Sequence, residues 1–192
     1  MSAAAVLQRI TEELDRAGID YMLSGSFASA YYGSSRSTQD IDLVIEATPA
    51  KLSKFIEALP RDEFYVELDT ALEAYQRRSM FNVIDLATGW KIDLIIRKSR
   101  AFSEEEFRRR QRSSMDNVPL FVASVEDSIL SKLEWAKLSD SRRQIDDVAA
   151  ILRLRWDALD HPYLQKWVLE LGLTEEWSEA KSASGIAGGG LL

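Results

Sequence analysis

The sequence predicts an α+β protein, with helices and strands mixed up to about residue 122 and helices alone after that. Three observations carry this expectation. Residues 80–86 and 90–96 are two apolar-rich runs joined by the turn Ala87-Thr88-Gly89, the pattern of a β-hairpin. The run Asp40-Ile41-Asp42-Leu43-Val44-Ile45-Glu46 reads as a strand with one apolar face. After Ser124 the apolar residues recur only at helical spacing.

The elements follow in order. Val6, Leu7, Ile10 and Leu14 predict a helix over 3–17, which Gly18 stops. Residues 21–23 form a short strand, and 26–32 a short helix closed by Gly33. The strand over 40–46 leads to Thr48-Pro49, a helix start with proline in the first turn. That helix carries Leu52, Phe55, Ile56 and Leu59, and Pro60 follows it. A strand is expected over 64–68 and a helix over 70–76. The hairpin comes next, then a helix over 103–111 with Ser103 as N-cap and Glu106 completing a capping box. A strand over 118–122 precedes helices over 125–138, 141–154 and 163–171. The final residues are small and glycine-rich, and read as a flexible tail. The expected division is a core over 1–122, a helical part over 123–178 and a tail over 179–192.

Composition excludes several functions. The 192 residues suit one domain, or one with a helical appendage, and 46% hydrophobic content is enough for a core. A net charge of −7 gives no global attraction to nucleic acid, so such a partner would have to meet a local patch. The absence of cysteine removes disulfide and thiolate chemistry and fits a reducing compartment. The N-terminus does not read as a signal peptide, and no apolar run reaches the roughly 18 residues of a membrane span. The expectation is a soluble, cytoplasmic protein. His161 is the only histidine, so no His/Cys metal centre and no serine-hydrolase triad can be assembled. It reads as structural.

The chemistry-bearing residues cluster early. Asp40 and Asp42 lie two apart on a strand and so project from the same face, while Ile41, Leu43 and Ile45 point into a core. Paired carboxylates repel unless a cation or shared proton separates them. Hard divalent ions, Mg²⁺ above all, take such oxygen ligands together with substrate phosphates. Gly25-Ser26, at a strand-to-helix turn, offers backbone N–H groups and a hydroxyl suited to phosphate. In the strand Lys91-Ile-Asp-Leu-Ile-Ile96, Asp93 can supply a third acid if that strand neighbours the Asp40 strand, and Asp85 competes for the role. Arg36 can reach a phosphate in bidentate fashion or pair with the carboxylates, and Thr38 organises the turn before them. For each residue the plainer alternative is an ordinary turn or solvated strand.

Gly25-Ser26, a spacer of 13 residues, then Asp40-x-Asp42 resembles the signature of the nucleotidyltransferase fold of the DNA polymerase beta superfamily. The turn Arg36-Ser-Thr38-Gln-Asp40-Ile-Asp42 is similar to small bacterial members, including the AbiEii-like toxins of type IV toxin–antitoxin systems. The segment from Lys132 to Asp147 resembles a later motif of those toxins, although Gln144 stands where they usually carry an acid. The resemblance implies a small mixed sheet flanked by helices, followed by a helical part. It implies transfer of NMP from an NTP to an acceptor hydroxyl with release of pyrophosphate. Two Mg²⁺ ions about 4 Å apart, or Mn²⁺ in their place, would be held by Asp40, Asp42 and Asp93. The family position of the third acid favours Asp93 over Asp85. Gly25, Ser26, Arg36, Lys132 and Asp147 would bind the nucleotide, unless Lys132 and Asp147 are only charges on helical surfaces. A tRNA acceptor and an antitoxin partner are also implied. Residues 97–112 hold seven basic side chains against three glutamates, where a polyanion could dock, or where Glu–Arg pairs simply solvate a helix. The alternatives are an inactive nucleotide-binding or interaction module of the same fold, or an aminoglycoside or protein nucleotidyltransferase.

Overall fold

The computed structural model describes residues 2–33, 38 and 40–186. The chain divides into two compact units, residues 1–27 with 37–123, and residues 28–36 with 124–192. Among the described residues no helix is long and apolar enough to cross a membrane.

In the first unit, α1 (Ala3–Ala17) buries Val6, Leu7, Ile10 and Leu14, the stripe that its spacing predicts. Ser2 caps its start, accepting from the Ala5 N–H, and Gly18 closes it at φ 70°. The strands β1 (Asp20–Leu23), β2 (Asp40–Glu46), β3 (Phe64–Tyr65), β4 (Met80–Asp85), β5 (Lys91–Ile96), β6 (Gln111–Met115) and β7 (Val118–Val122) form one mixed sheet in the order β3-β4-β5-β2-β1-β7-β6. β2 runs antiparallel to β1 and parallel to β5, and β4 is antiparallel to β5. Ile41, Leu43 and Ile45 of β2 and Ile92, Leu94 and Ile96 of β5 are all buried on one face. That apolar pairing fixes the register, because a slip of one residue would turn the isoleucines outward and the aspartates in. The chain also forms the helices α2 (Gly25–Tyr31), α3 (Pro49–Ala58) and α4 (Leu68–Arg77), with α3 packed against both α1 and α4; Thr48 caps α3 through the Lys51 N–H. The expected mixed sheet with flanking helices is the observed one.

Four local expectations change. β3 ends at Tyr65 after pairing with Asp85 and Ile84, because the chain turns into α4, whose N-cap is Glu67 and whose first residue is Leu68. Helix α5 (Ala101–Arg108) begins two residues before the expected Ser103 cap. Phe102, Ser103, Glu106 and Phe107 share its buried face, so Ser103 sits inside the helix and its hydroxyl accepts from Arg100 Nε at 3.0 Å. β6 occupies a stretch with no apolar alternation; β7 supplies its pairing, across Asp116 and Asn117, both at positive φ as a two-residue hairpin turn requires. In the second unit, helix α9 (Thr174–Ser184) continues through residues expected to begin the tail. The glycine-rich end of that tail, residues 187–192, lies outside the described residues.

The second unit also contains α6 (Val125–Ser139), α7 (Arg142–Arg155) and α8 (His161–Glu170). Its core is Ile129, Leu130, Leu133, Val148, Ile151, Leu152, Leu164, Trp167 and Trp177. Ser124 caps α6 by accepting from the Asp127 N–H, while its hydroxyl donates to Asp127 Oδ2 at 2.6 Å. Asp127 Oδ1 also accepts from the Tyr163 hydroxyl at 2.5 Å. His161 meets the Trp156 carbonyl at 2.9 Å and packs on the Trp156 ring, a structural placement.

Tyr32 gives this unit an alkaline weakness. Burial first, then the neighbouring Tyr31, Glu126 and Asp127, push its phenol up to about 12, against an opposing pull from Arg155. The unfolded chain ionises near pH 10. The stabilisation is therefore complete below about pH 10 and is lost as pH rises towards about 12. Tyr32→Phe should lose less stability than wild type between about pH 9 and about pH 11.5 in denaturant melts. Equal losses would contradict the assignment.

Candidate active site

The register of β2 and β5 places Asp40 opposite Lys91 and Asp42 opposite Asp93. Residues opposed in a ladder share a face, so these four side chains stand together on the side away from the isoleucine core. Antiparallel pairing of β4 with β5 adds Asn82 opposite Asp93. At the other flank, β1 ends beside the start of β2, where the Ser24 N–H donates to the Asp42 carbonyl at 2.9 Å. One level of the sheet thus carries Asp42, Asp93 and Asn82 on three adjacent strands, with Ser24-Gly25 just past the end of a fourth. With neighbouring strands about 4.8 Å apart, two ionised carboxylates repel by roughly 3 kcal/mol at an effective dielectric of 20.

A cation already answers part of that repulsion. The Lys91 ammonium lies 3.3 Å from Asp40 Oδ1 and 3.1 Å from Asp93 Oδ2. The hydrogen bond to Asp93 holds the lysine's proton affinity above its ordinary value; burial opposes this, and Asp40 adds to it. The other oxygen of Asp93 accepts from Asn82 Nδ2. Asp93 is 5% exposed, whereas the Asp40 side chain is half exposed.

Gly25 presses on the same spot. Its φ is +61°, and a Cβ there would stand 2.9 Å from Asp42 Cβ and overlap the carboxylate beyond it. The position therefore needs glycine for both conformation and space. Ser26 follows in the first turn of α2. Thr38 organises the approach to the acids, its hydroxyl accepting from the Asp40 N–H at 3.2 Å. Arg36 lies outside the described residues.

Asp85 is placed elsewhere. It lies on the opposite face of the hairpin from Asp93, fully buried, accepting from the Thr88 N–H at 2.9 Å and the Thr88 hydroxyl at 2.7 Å, with Arg9 Nη1 at 3.0 Å. It holds the hairpin turn. In the helical unit, Lys132 and Asp147 are buried rather than at the surface. The lysine donates to Asp147 Oδ2 at 2.7 Å and to Gln144 Oε1 at 3.1 Å. Gln144, the departure from the toxin-like motif, thus keeps its place in the lysine's coordination as a neutral acceptor.

The basic stretch over 97–112 is largely engaged. Arg97 pairs with Glu46 and Glu104, Arg108 with Glu105 and Arg110 with Asp20. Arg112 stacks over Phe121.

The carboxylates of Asp40, Asp42 and Asp93 are oxygen donors of the kind that hard divalent ions take, and Lys91 lies against two of them, Asp40 and Asp93. Among the described residues, however, no group of three or more acids, histidines or cysteines is arranged to hold a metal. The lysine occupies the space between two of the acids. Sequence reasoning missed both Lys91 and Asn82. Lys91-Ile92-Asp93 repeats the spacing of Asp40-Ile41-Asp42, so the face shared by Lys91 and Asp93 was readable. Asn82 needed the hairpin register.

No family model matches this chain, and no curated protein matches it. Among solved structures it is similar to an antigenic nucleotidyltransferase-like protein from Paracoccidioides brasiliensis, at 17% identity and a TM-score of 0.55, covering 94% of this chain and 92% of that one. It is also similar to the antibiotic-resistance factor ANT(2'')-Ia in solution, at 13% identity and a TM-score of 0.49, covering 95% of this chain and 89% of that one. The crystal structure of ANT(2'')-Ia with adenylyl-2''-tobramycin gives 11% identity and the same score, covering 96% and 98%. At 17% identity the likeness to the first of these speaks to fold alone, and that fold is the nucleotidyltransferase fold.

The crowding at Gly25 is testable. Gly25→Ala should lose about 1–2 kcal/mol of stability in urea melts, from a left-handed backbone without glycine and from displacement of Asp42. An unchanged midpoint would show that the approach is loose.

Proposed function

We propose that this protein is a metal-dependent nucleotidyltransferase that moves NMP from an NTP to an acceptor hydroxyl and releases pyrophosphate. The observation that carries the reading is the register of two parallel strands, which sets Asp42 beside Asp93 on one face with Asp40 next along, against a glycine turn that tolerates no side chain. The nucleotidyltransferase fold agrees with it.

Asp40, Asp42 and Asp93 are the residues that would hold Mg²⁺ or Mn²⁺. When bound, such ions neutralise phosphate charge and make an acceptor hydroxyl easier to deprotonate. The chain's own contribution is placement. The Gly25 turn, free of a side chain, lets a triphosphate approach the backbone, and the Ser26 hydroxyl is a donor for it. Asp93, buried and oriented by Asn82, is the acid best held to accept the acceptor's proton. Arg36 adds a phosphate contact on the strength of sequence alone. The reading needs no role for Lys132 and Asp147, whose charges serve each other inside the helical unit.

A tRNA acceptor, a toxin role and an antitoxin partner rest on the motif resemblance alone. The pairing of arginines in the stretch over 97–112 weakens the case for RNA docking there.

The test is incubation with each labelled NTP, Mg²⁺ and total cellular RNA, reading pyrophosphate release and label transfer. Wild type should turn over. Asp42→Asn and Asp93→Asn should each fall at least about 100-fold while keeping their circular dichroism, because removed charge stabilisation of this kind costs several kcal/mol. Full activity in both variants would overturn the assignment, and labelled tRNA would identify the acceptor.

A further inference from the structure

Lys91 is the residue that the proposed reaction leaves unexplained. It stands two positions before Asp93 on the same strand face, and the ladder sets it directly opposite Asp40. Its ammonium reaches both acids, at 3.3 and 3.1 Å. Asp93 is almost fully buried and its second oxygen is held by Asn82, so this carboxylate is fixed in place. Lys91 is not: its side chain is 40% exposed. A lysine carries a compact, well-hydrated charge on a flexible stem and can withdraw into water, which the rigid fork of an arginine does less readily.

We infer that the Lys91 ammonium is the resident counter-cation of the Asp40–Asp93 pair, and that a divalent ion enters this site only by displacing it. The inference rests on the metal reading proposed above. It explains how two acids standing diagonally across adjacent strands are tolerated without metal. Among the described residues no three acids are arranged to hold a metal, and the lysine stands between Asp40 and Asp93. A site blocked by its own lysine shows an apparent affinity reduced by the fraction of molecules in which the lysine has left. Metal binding would therefore be weak until Lys91 swings out, and removal of the lysine would reveal the intrinsic affinity of the acids.

The experiment is a Mn²⁺ titration of the full chain followed by electron paramagnetic resonance, with melting temperatures recorded with and without Mn²⁺. Wild type, Lys91→Met, Lys91→Arg and Asp42→Asn are compared. Displacement predicts that Lys91→Met binds Mn²⁺ about tenfold more tightly than wild type, as expected where a competitor occupies the site about nine-tenths of the time. The same variant should melt lower than wild type without metal and gain a larger rise when metal is added. Lys91→Arg, which keeps the charge but leaves less readily, should bind Mn²⁺ no more tightly than wild type. If wild type binds Mn²⁺ and Asp42→Asn does not, yet Lys91→Met binds no more tightly than wild type, the displacement is overturned and the metal site survives. If none of the proteins binds Mn²⁺, both fall. Should Lys91→Met fail to fold, the ¹⁵N signal of the wild-type Lys91 ammonium decides: it shifts on addition of Mg²⁺ if the lysine is displaced. A signal unchanged while the Asp42 and Asp93 amides respond would overturn the inference.

Discussion

The structure around the site depends on like charges held side by side by an apolar constraint. Ile41, Leu43 and Ile45 must face the core, and so must Ile92, Leu94 and Ile96. Once β2 and β5 pair in parallel with that register, Asp40, Asp42 and Asp93 have no other face to occupy. The hydrophobic effect thus sets the electrostatic problem: burying six aliphatic side chains outweighs a repulsion of roughly 3 kcal/mol between neighbouring carboxylates. The fold accepts this cost at one spot and places a glycine turn against it, and the proposed function is built on that spot.

Neighbouring residues show how the cost is contained. Asn82 donates to the buried Asp93, and Lys91 spans Asp93 and Asp40. Gly25 brings backbone, not side chain, against Asp42. Asp85, which resembles Asp93 in sequence, faces the opposite side of the sheet and is spent on the Thr88 turn and Arg9. The difference between two aspartates eight residues apart is therefore parity along a hairpin.

Much of this is legible in the sequence. Two-residue alternation identified the face of Asp40 and Asp42, and helical spacing identified α1, α3, α6 and α7. β6 was hidden because Gln111-Arg-Ser-Ser-Met115 has no apolar face; its strand state comes from pairing with β7. The start of α5 is not legible, because a serine with a glutamate three residues on looks the same whether it caps a helix or lies within one. Tertiary burial of Phe102 and Phe107 decided it. Lys132 and Asp147 were visible as a motif, but their mutual burial was not, since helical spacing relates residues only within one helix. The role of Lys91 needed the register between strands, which no single-strand pattern contains.

The central claim is that the acids of β2 and β5 converge on a divalent ion. The most direct measurement is anomalous scattering at the manganese edge from crystals grown with Mn²⁺ and a non-hydrolysable NTP. The account predicts a peak between the carboxylates of Asp42 and Asp93, with the triphosphate lying towards Gly25. A peak elsewhere on the chain, or bound nucleotide with no anomalous signal at these acids, would contradict it.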